Sequence, residues 1–176
     1  MKGLAWKHVG VSALILLGAC AAFADNTALQ PKPGSAELER VKTWVGRWEG
    51  KSNGHGEEQS AAAEYKLTSG GSAVIETLFP GTPHEMVSVY YDKDGKLAMT
   101  HYCMLGNRPE FSLTGAGPQR MDFSLDQSSP IPAGEMHMHA LSIALAEDGG
   151  MTQSWTLFEN GQAKDTTNIS LKRVTN

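Results

Sequence analysis

Two short runs carry side chains able to do chemistry: His101-Tyr102-Cys103 and His137-Met138-His139. Side chains alternate sides along an extended strand, so residues two apart project the same way. His101 with Cys103, and His137 with His139, can therefore each address one point in space. Imidazole and thiolate together suit zinc, and Met136 or Met138 beside them suits copper. A Cys next to a His also allows a thiolate–imidazole pair. The commoner use of such residues is plainer, as polar groups that line the mouth of a pocket and orient what enters it. The sequence holds no G-x-S-x-G, H-E-x-x-H, phosphate-binding loop or dinucleotide fingerprint, and Glu76 and Glu85 read as solvated carboxylates. No catalytic residue is assigned, and the balance of the sequence is against an enzyme.

These side chains need elements to hold them. From Trp48 onward, short segments rich in Val, Ile, Thr and aromatics sit between turn signals, among them Asn53-Gly54, Gly70-Gly71, Asp94-Gly95 and Asn160-Gly161. The pattern predicts about ten strands, near 47–52, 58–68, 72–79, 86–92, 96–104, 110–114, 120–126, 136–146, 151–159 and 162–174. The tight connections favour an all-β, antiparallel up-and-down barrel. Ahead of it, Ser35 offers a helix N-cap, with Leu38, Val41 and Trp44 at helical spacing, so a short helix is predicted over 35–45.

Alternation gives each strand an inner face: Met121, Phe123 and Leu125 on one, Phe111 and Leu113 on another, Ile169 and Leu171 on the last. Val87, Val89 and Tyr91 share a face of the fourth strand, and Tyr91 is a candidate lining residue. His101 and Cys103 share a face with Leu97 and Met99, and His137 and His139 with Leu141, Ile143 and Leu145. If Trp48 lies at one end of the meander, then His55, His84, His101, Cys103, His137 and His139 all fall at the opposite rim. The expected lining there is three imidazoles and a thiol, with Met99, Gln153 and Trp155 deeper.

The 176 residues make one domain with an extension at the front. Lys2 and Lys7, the apolar run Val9 to Leu17 and the small residues after it follow the order of a secretory signal. Ala22-Phe23-Ala24 fits cleavage before Asp25, giving a signal over 1–24, a linker over 25–34 and the folded domain over 35–176. Leu17-Gly18-Ala19-Cys20 resembles a lipobox, which would leave Cys20 lipidated. The expectation is a periplasmic or secreted protein, or one anchored to the envelope by that lipid. Either route leaves Cys103 without an intramolecular partner. The net charge of −4 is spread out with no basic run, which argues against nucleic acid, and no later apolar stretch is long enough to cross a membrane.

The run Val45-Gly46-Arg47-Trp48-Glu49-Gly50, a Gly-x-Trp just after a helix, resembles the start of a lipocalin or other calycin barrel. The resemblance implies that Trp48 plugs the closed end, next to Gly46, and that Arg173 packs over it. The chain also resembles uncharacterised bacterial lipocalin-like domains through Gly70-Gly71-Ser72, Ile75-Glu76-Thr77 and Thr100-His101-Tyr102-Cys103, from about Trp44 to the carboxyl end. That implies a fold and leaves function open. Because some calycin relatives hold haem, an axial His for haem joins the metal chemistries.

Three functional classes follow. The leading one is an exported binding protein for a small apolar or amphipathic ligand, with a cavity of roughly 300 Å³ or more. Its rim would be formed by 52–57, 80–85, 104–110, 127–135 and 159–162, with Met121, Phe123, Leu141, Ile143 and Trp155 supplying apolar contact. The second is a metal- or haem-binding domain in which His101, Cys103, His137 and His139 converge. The third is a structural envelope protein with a filled interior and an exposed apolar patch.

Overall fold

The computed structural model describes residues 33–175. The expected signal over 1–24, including Cys20, and most of the linker lie outside them. One helix, α1 (Ala36–Lys42), precedes ten strands: β1 (Gly46–Ser52), β2 (Gln59–Thr68), β3 (Ala73–Leu78), β4 (Met86–Lys93), β5 (Lys96–Tyr102), β6 (Glu110–Gly117), β7 (Arg120–Leu125), β8 (His137–Leu145), β9 (Met151–Glu159) and β10 (Gln162–Arg173). Each strand pairs antiparallel with its sequence neighbours, and β1 pairs with β10, so the sheet closes on itself. The expected up-and-down barrel is what forms.

Local chemistry explains the hairpins. Asp94 and Gly95 both take positive φ (54° and 77°), as do Asn160 and Gly161 (52° and 76°). Lys93 faces Lys96 and Glu159 faces Gln162 across these two-residue loops. Two successive positive φ values match the right-handed twist of the flanking strands, and Asp-Gly and Asn-Gly adopt them with little strain.

The Trp48 end is closed. Ser35 caps α1, its hydroxyl accepting from Leu38 N–H, and the same residue donates to Asp92 at the end of β4 through both backbone and hydroxyl. Arg40 donates to the carbonyl of Gly117. Both ties hold α1 across the barrel end and bury Leu38 and Val41. Trp48 donates its indole N–H to the carbonyl of Trp44 at 2.8 Å. Arg173 pairs with Trp48 across the closing seam, its guanidinium lies 4.5 Å from the ring centroid, and it donates to the carbonyls of Val45 and Thr43. Gly46 has φ of 130°, and an added Cβ would meet that guanidinium, so the position needs glycine. The roles that the resemblance implied for Gly46, Trp48 and Arg173 match this geometry, which is compatible with a calycin-like barrel.

Above the plug the lower barrel is filled by Trp44, Tyr65, Tyr90, Phe123, Met121 and Ile143, all within one buried cluster. Trp44 meets Tyr65 and Tyr90 edge-on at 5.9 and 6.3 Å between ring centroids. Among the described residues no helix is long and apolar enough to cross a membrane.

Candidate functional site

The upper half of the barrel is open. A cavity of about 520 Å³ lies at the rim opposite Trp48. Its wall is largely apolar: Leu78 and Phe79 at the end of β3, Met86 at the start of β4, Met138 on β8, and Trp155 and Leu157 on β9. Met104 and Leu105, both exposed, form part of the mouth, along with Met136. Methionine is unbranched and polarisable, so a wall with four of them (Met86, Met104, Met136 and Met138) can adjust to ligands of different shape.

His101 of β5 and Cys103 just beyond its end line this cavity, as expected from their parity with the buried Leu97 and Met99. Only 1 % of His101 is exposed. Its Nδ1 lies 3.0 Å from the Ser88 hydroxyl, and its ring leans on Trp155 at 4.6 Å between centroids. Its Nε2 is buried with no partner. Burial disfavours the charged ring and brings the His101 pKa down to about 4. Burial also pushes the Cys103 thiol up, so it stays protonated and weakly nucleophilic. Cys103 is the free cysteine of the described residues.

Beneath the cavity floor lies a buried polar row of which the sequence points only to Gln153 and His101. Glu76 is fully buried, not solvated, and so are Ser88, Tyr65, Tyr90 and Gln153. Glu76 on β3 faces Ser88 on β4, and Ser88 faces His101 on β5, so the three stand side by side across adjacent strands. Tyr65 donates to Glu76 Oε1 at 2.6 Å, Tyr90 donates to Oε2 at 2.9 Å, and Gln153 Nε2 donates to Oε1. Trp155 Nε1 donates to Gln153 Oε1 at 2.9 Å, which ties the row to the cavity wall. Burial raises the Glu76 pKa, against the pull of donors from Tyr65, Gln153, Tyr90 and Ser88. Burial, and then the charge of Glu76, hold Tyr65 and Tyr90 well above the usual phenol range. The signal was in the parity: Glu76 shares a face with Val74 and Leu78, and Ser88 with Met86 and Tyr90, all of them inward.

Several expected site residues stand elsewhere. His137 and His139 do not line the cavity. A β-bulge between Met138 and Ala140 inserts one residue in β8, so the inward parity of Leu141 and Ile143 passes to Met138 and Met136. His137 then faces Phe158, and His139 stacks flat on Phe158 at 3.8 Å with 9° between the planes. His137 Nδ1 lies 2.7 Å from the carbonyl of Glu135 and must donate to it. Its Nε2 lies 3.1 Å from His139 Nδ1. The expected convergence of His101, Cys103, His137 and His139 on one metal is overturned by this bulge. Among the described residues no cluster of three His, Cys, Asp or Glu side chains is placed to hold a metal ion.

Tyr91 points outward, its hydroxyl 3.1 Å from Thr100 Oγ1, because Ser88 and Tyr90 take the inner face of β4. Met99 and Gln153 are inward but lie in the filled part beneath the cavity, as do Met121, Phe123, Leu141 and Ile143. Trp155 lines the cavity as expected. At the mouth, 127–135 and 159–162 do not contribute, whereas Lys164, Asp165 and Thr167 of β10 do. His84 lines the mouth, and the His55 side chain lies outside the described residues. No family model matches this sequence, and no curated protein is significantly similar to it.

Proposed function

We propose that this chain is an exported binding protein of the calycin type whose half-open barrel takes up a small apolar or amphipathic molecule. The carrying observation is the cavity of about 520 Å³, with its mainly apolar wall and a few polar groups at its floor and mouth. Cavities of roughly 300–1,000 Å³ with that composition are where proteins hold small organic ligands. A filled interior, which a purely structural envelope protein would have, is not what the upper barrel contains.

Export rests on the order of residues at the amino terminus: charged, apolar and then small, ending in Ala22-Phe23-Ala24. In the lipobox alternative Cys20 would carry the anchor. The polar row under the floor fixes the inner end of the pocket without exposing a charge to it. The test is to purify the mature protein from the envelope of its host, extract it with solvent and identify what co-purifies by mass spectrometry. The account expects a small organic molecule in near-stoichiometric amount. Stoichiometric transition metal by elemental analysis, or a Soret band, would replace it with a cofactor-binding role for the same cavity.

A further inference from the structure

We infer that the cavity takes a facially amphipathic molecule, a rigid apolar ring body with hydroxyl groups along one side. This rests on the reading of the cavity as a ligand site and adds the chemical class that its wall selects.

The wall is divided lengthwise. β2, β1 and β10 are neighbours in the sheet, and apart from Ile169 the residues they give to the cavity are polar: Ser52, Gln59, Ser60, Lys164, Asp165 and Thr167. The apolar arc begins at once on either side, with Leu78 of β3 and with Trp155 and Leu157 of β9. The change is sharpest where β10 meets β9. Thr167 is paired with Trp155 and Asp165 with Leu157, so polar and apolar lining residues stand side by side at two successive levels. The level beneath, where Ile169 is paired with Gln153 on one side and Ser52 on the other, is the floor. The polar strip therefore runs from floor to mouth and is not a property of the rim alone.

Ser52 is buried and Thr167 half-buried. The Ser52 hydroxyl accepts from Gly54 N–H at 3.3 Å, which leaves its own proton to give. On the apolar side, polar lining residues stand at the mouth, as Thr82 and His84 do, or at the floor, as His101 does. A ligand that fills this space takes water from both arcs. A body apolar all round would strand the hydroxyls of Ser52 and Thr167, and one polar all round would lose its hydration against Trp155 and Leu157. A chain with a single polar end satisfies only the mouth. Hydroxyls spaced along one face can meet Thr167 and Asp165 while the other face lies on the apolar arc.

The probes are two epimeric bile salts. Chenodeoxycholate carries both ring hydroxyls on one face, ursodeoxycholate carries them on opposite faces, and the two are otherwise alike in atoms and charge. Each, kept below its micellar concentration, displaces N-phenylnaphthylamine, an apolar dye, from the full mature chain. Chenodeoxycholate is expected to do so at a concentration about five- to tenfold lower, the ratio of one hydrogen bond gained. Thr167→Val keeps the shape of the wall, removes one hydroxyl of the strip and should bring the epimers within about twofold. Equal displacement by the two, preference for ursodeoxycholate, or dye displaced by neither overturns the inference while the binding role stands. A gap that persists unchanged in Thr167→Val also overturns it, because the strip is then not what reads the hydroxyls. Absence of saturable dye binding removes the binding role itself.

Discussion

Below Trp155 the barrel is filled with interlocking aromatic and aliphatic side chains, whereas above it the same ten strands enclose open space. The strands do not change in kind between the two halves. What changes is the inward residue: Trp48, Tyr65, Tyr90 and Phe123 below, against methionines, Leu157, Ser52 and Thr167 above. The lower half also has α1 and the Arg173 clamp across its end, whereas the upper half is ringed by loops and one short 3-10 turn, Gly54–Gly56. Stability is thereby assigned to one end of the sheet and the proposed binding to the other. The boundary between them is the row Glu76–Ser88–His101, where polar groups are buried at a cost and have to be matched one by one.

The largest effect should come from breaking the filled end. Phe123→Ala is expected to lower unfolding stability by about 3–5 kcal/mol in urea titrations, and Leu157→Ala in the cavity wall by about 1 kcal/mol, because Leu157 already borders open space. Equal losses would erase the distinction between the halves. Glu76→Ala should be nearly as severe as Phe123→Ala, about 3 kcal/mol, because it strands the donors of Tyr65, Tyr90 and Gln153.

His101 gives the boundary a pH signature. In the unfolded chain its ring takes a proton near pH 6.5, in the folded chain only near 4. The unfolded state therefore binds more protons between these values, and folding weakens as pH falls from about 6.5 to about 4, by up to ~3 kcal/mol. Glu76 acts with the opposite sign. Its folded pKa is raised, so its contribution is fully present below the unfolded value of 4.5 and declines as pH rises through the folded value. Urea midpoints across this range should show a His101→Phe variant with a flatter acid limb than wild type. A limb of unchanged slope would move the responsible proton to another group.

Arg173→Ala removes the cation–π contact and two carbonyl bonds at the closed end. About 1–2 kcal/mol of stability should go, with dye affinity unchanged, since this residue is far from the cavity. His139→Ala is the smallest change. It removes the outer stack on Phe158 for about 1 kcal/mol or less, and leaves ligand binding as it was. Loss of binding in His139→Ala would return that residue to the site.

The barrel was legible because its signals are local. Hairpin dipeptides such as Asp94-Gly95 and alternation in segments such as Met121 to Leu125 need no knowledge of the rest of the chain. His101, Cys103 and Trp155 were placed correctly by the same parity. His137 and His139 were not, because a single bulge reverses parity and nothing in Met136 to Ala140 announces one. Tyr91 failed for a related reason: β4 has β-branched or aromatic residues on both faces, and only the pairing of Ser88 with Glu76 shows which face is inside. Glu76 had the parity of a core residue, but a buried carboxylate becomes credible only when its donors, which come from β2, β4 and β9, are seen together.

The division into a filled half and a binding half is tested most directly by titrating N-phenylnaphthylamine into the wild-type protein and into Leu157→Trp, which places an indole in the cavity. The account predicts saturable binding at one site in the wild type, and its loss in a Leu157→Trp protein that retains the wild-type far-ultraviolet spectrum. Undiminished binding in the filled variant, or no saturable binding in the wild type, would contradict it.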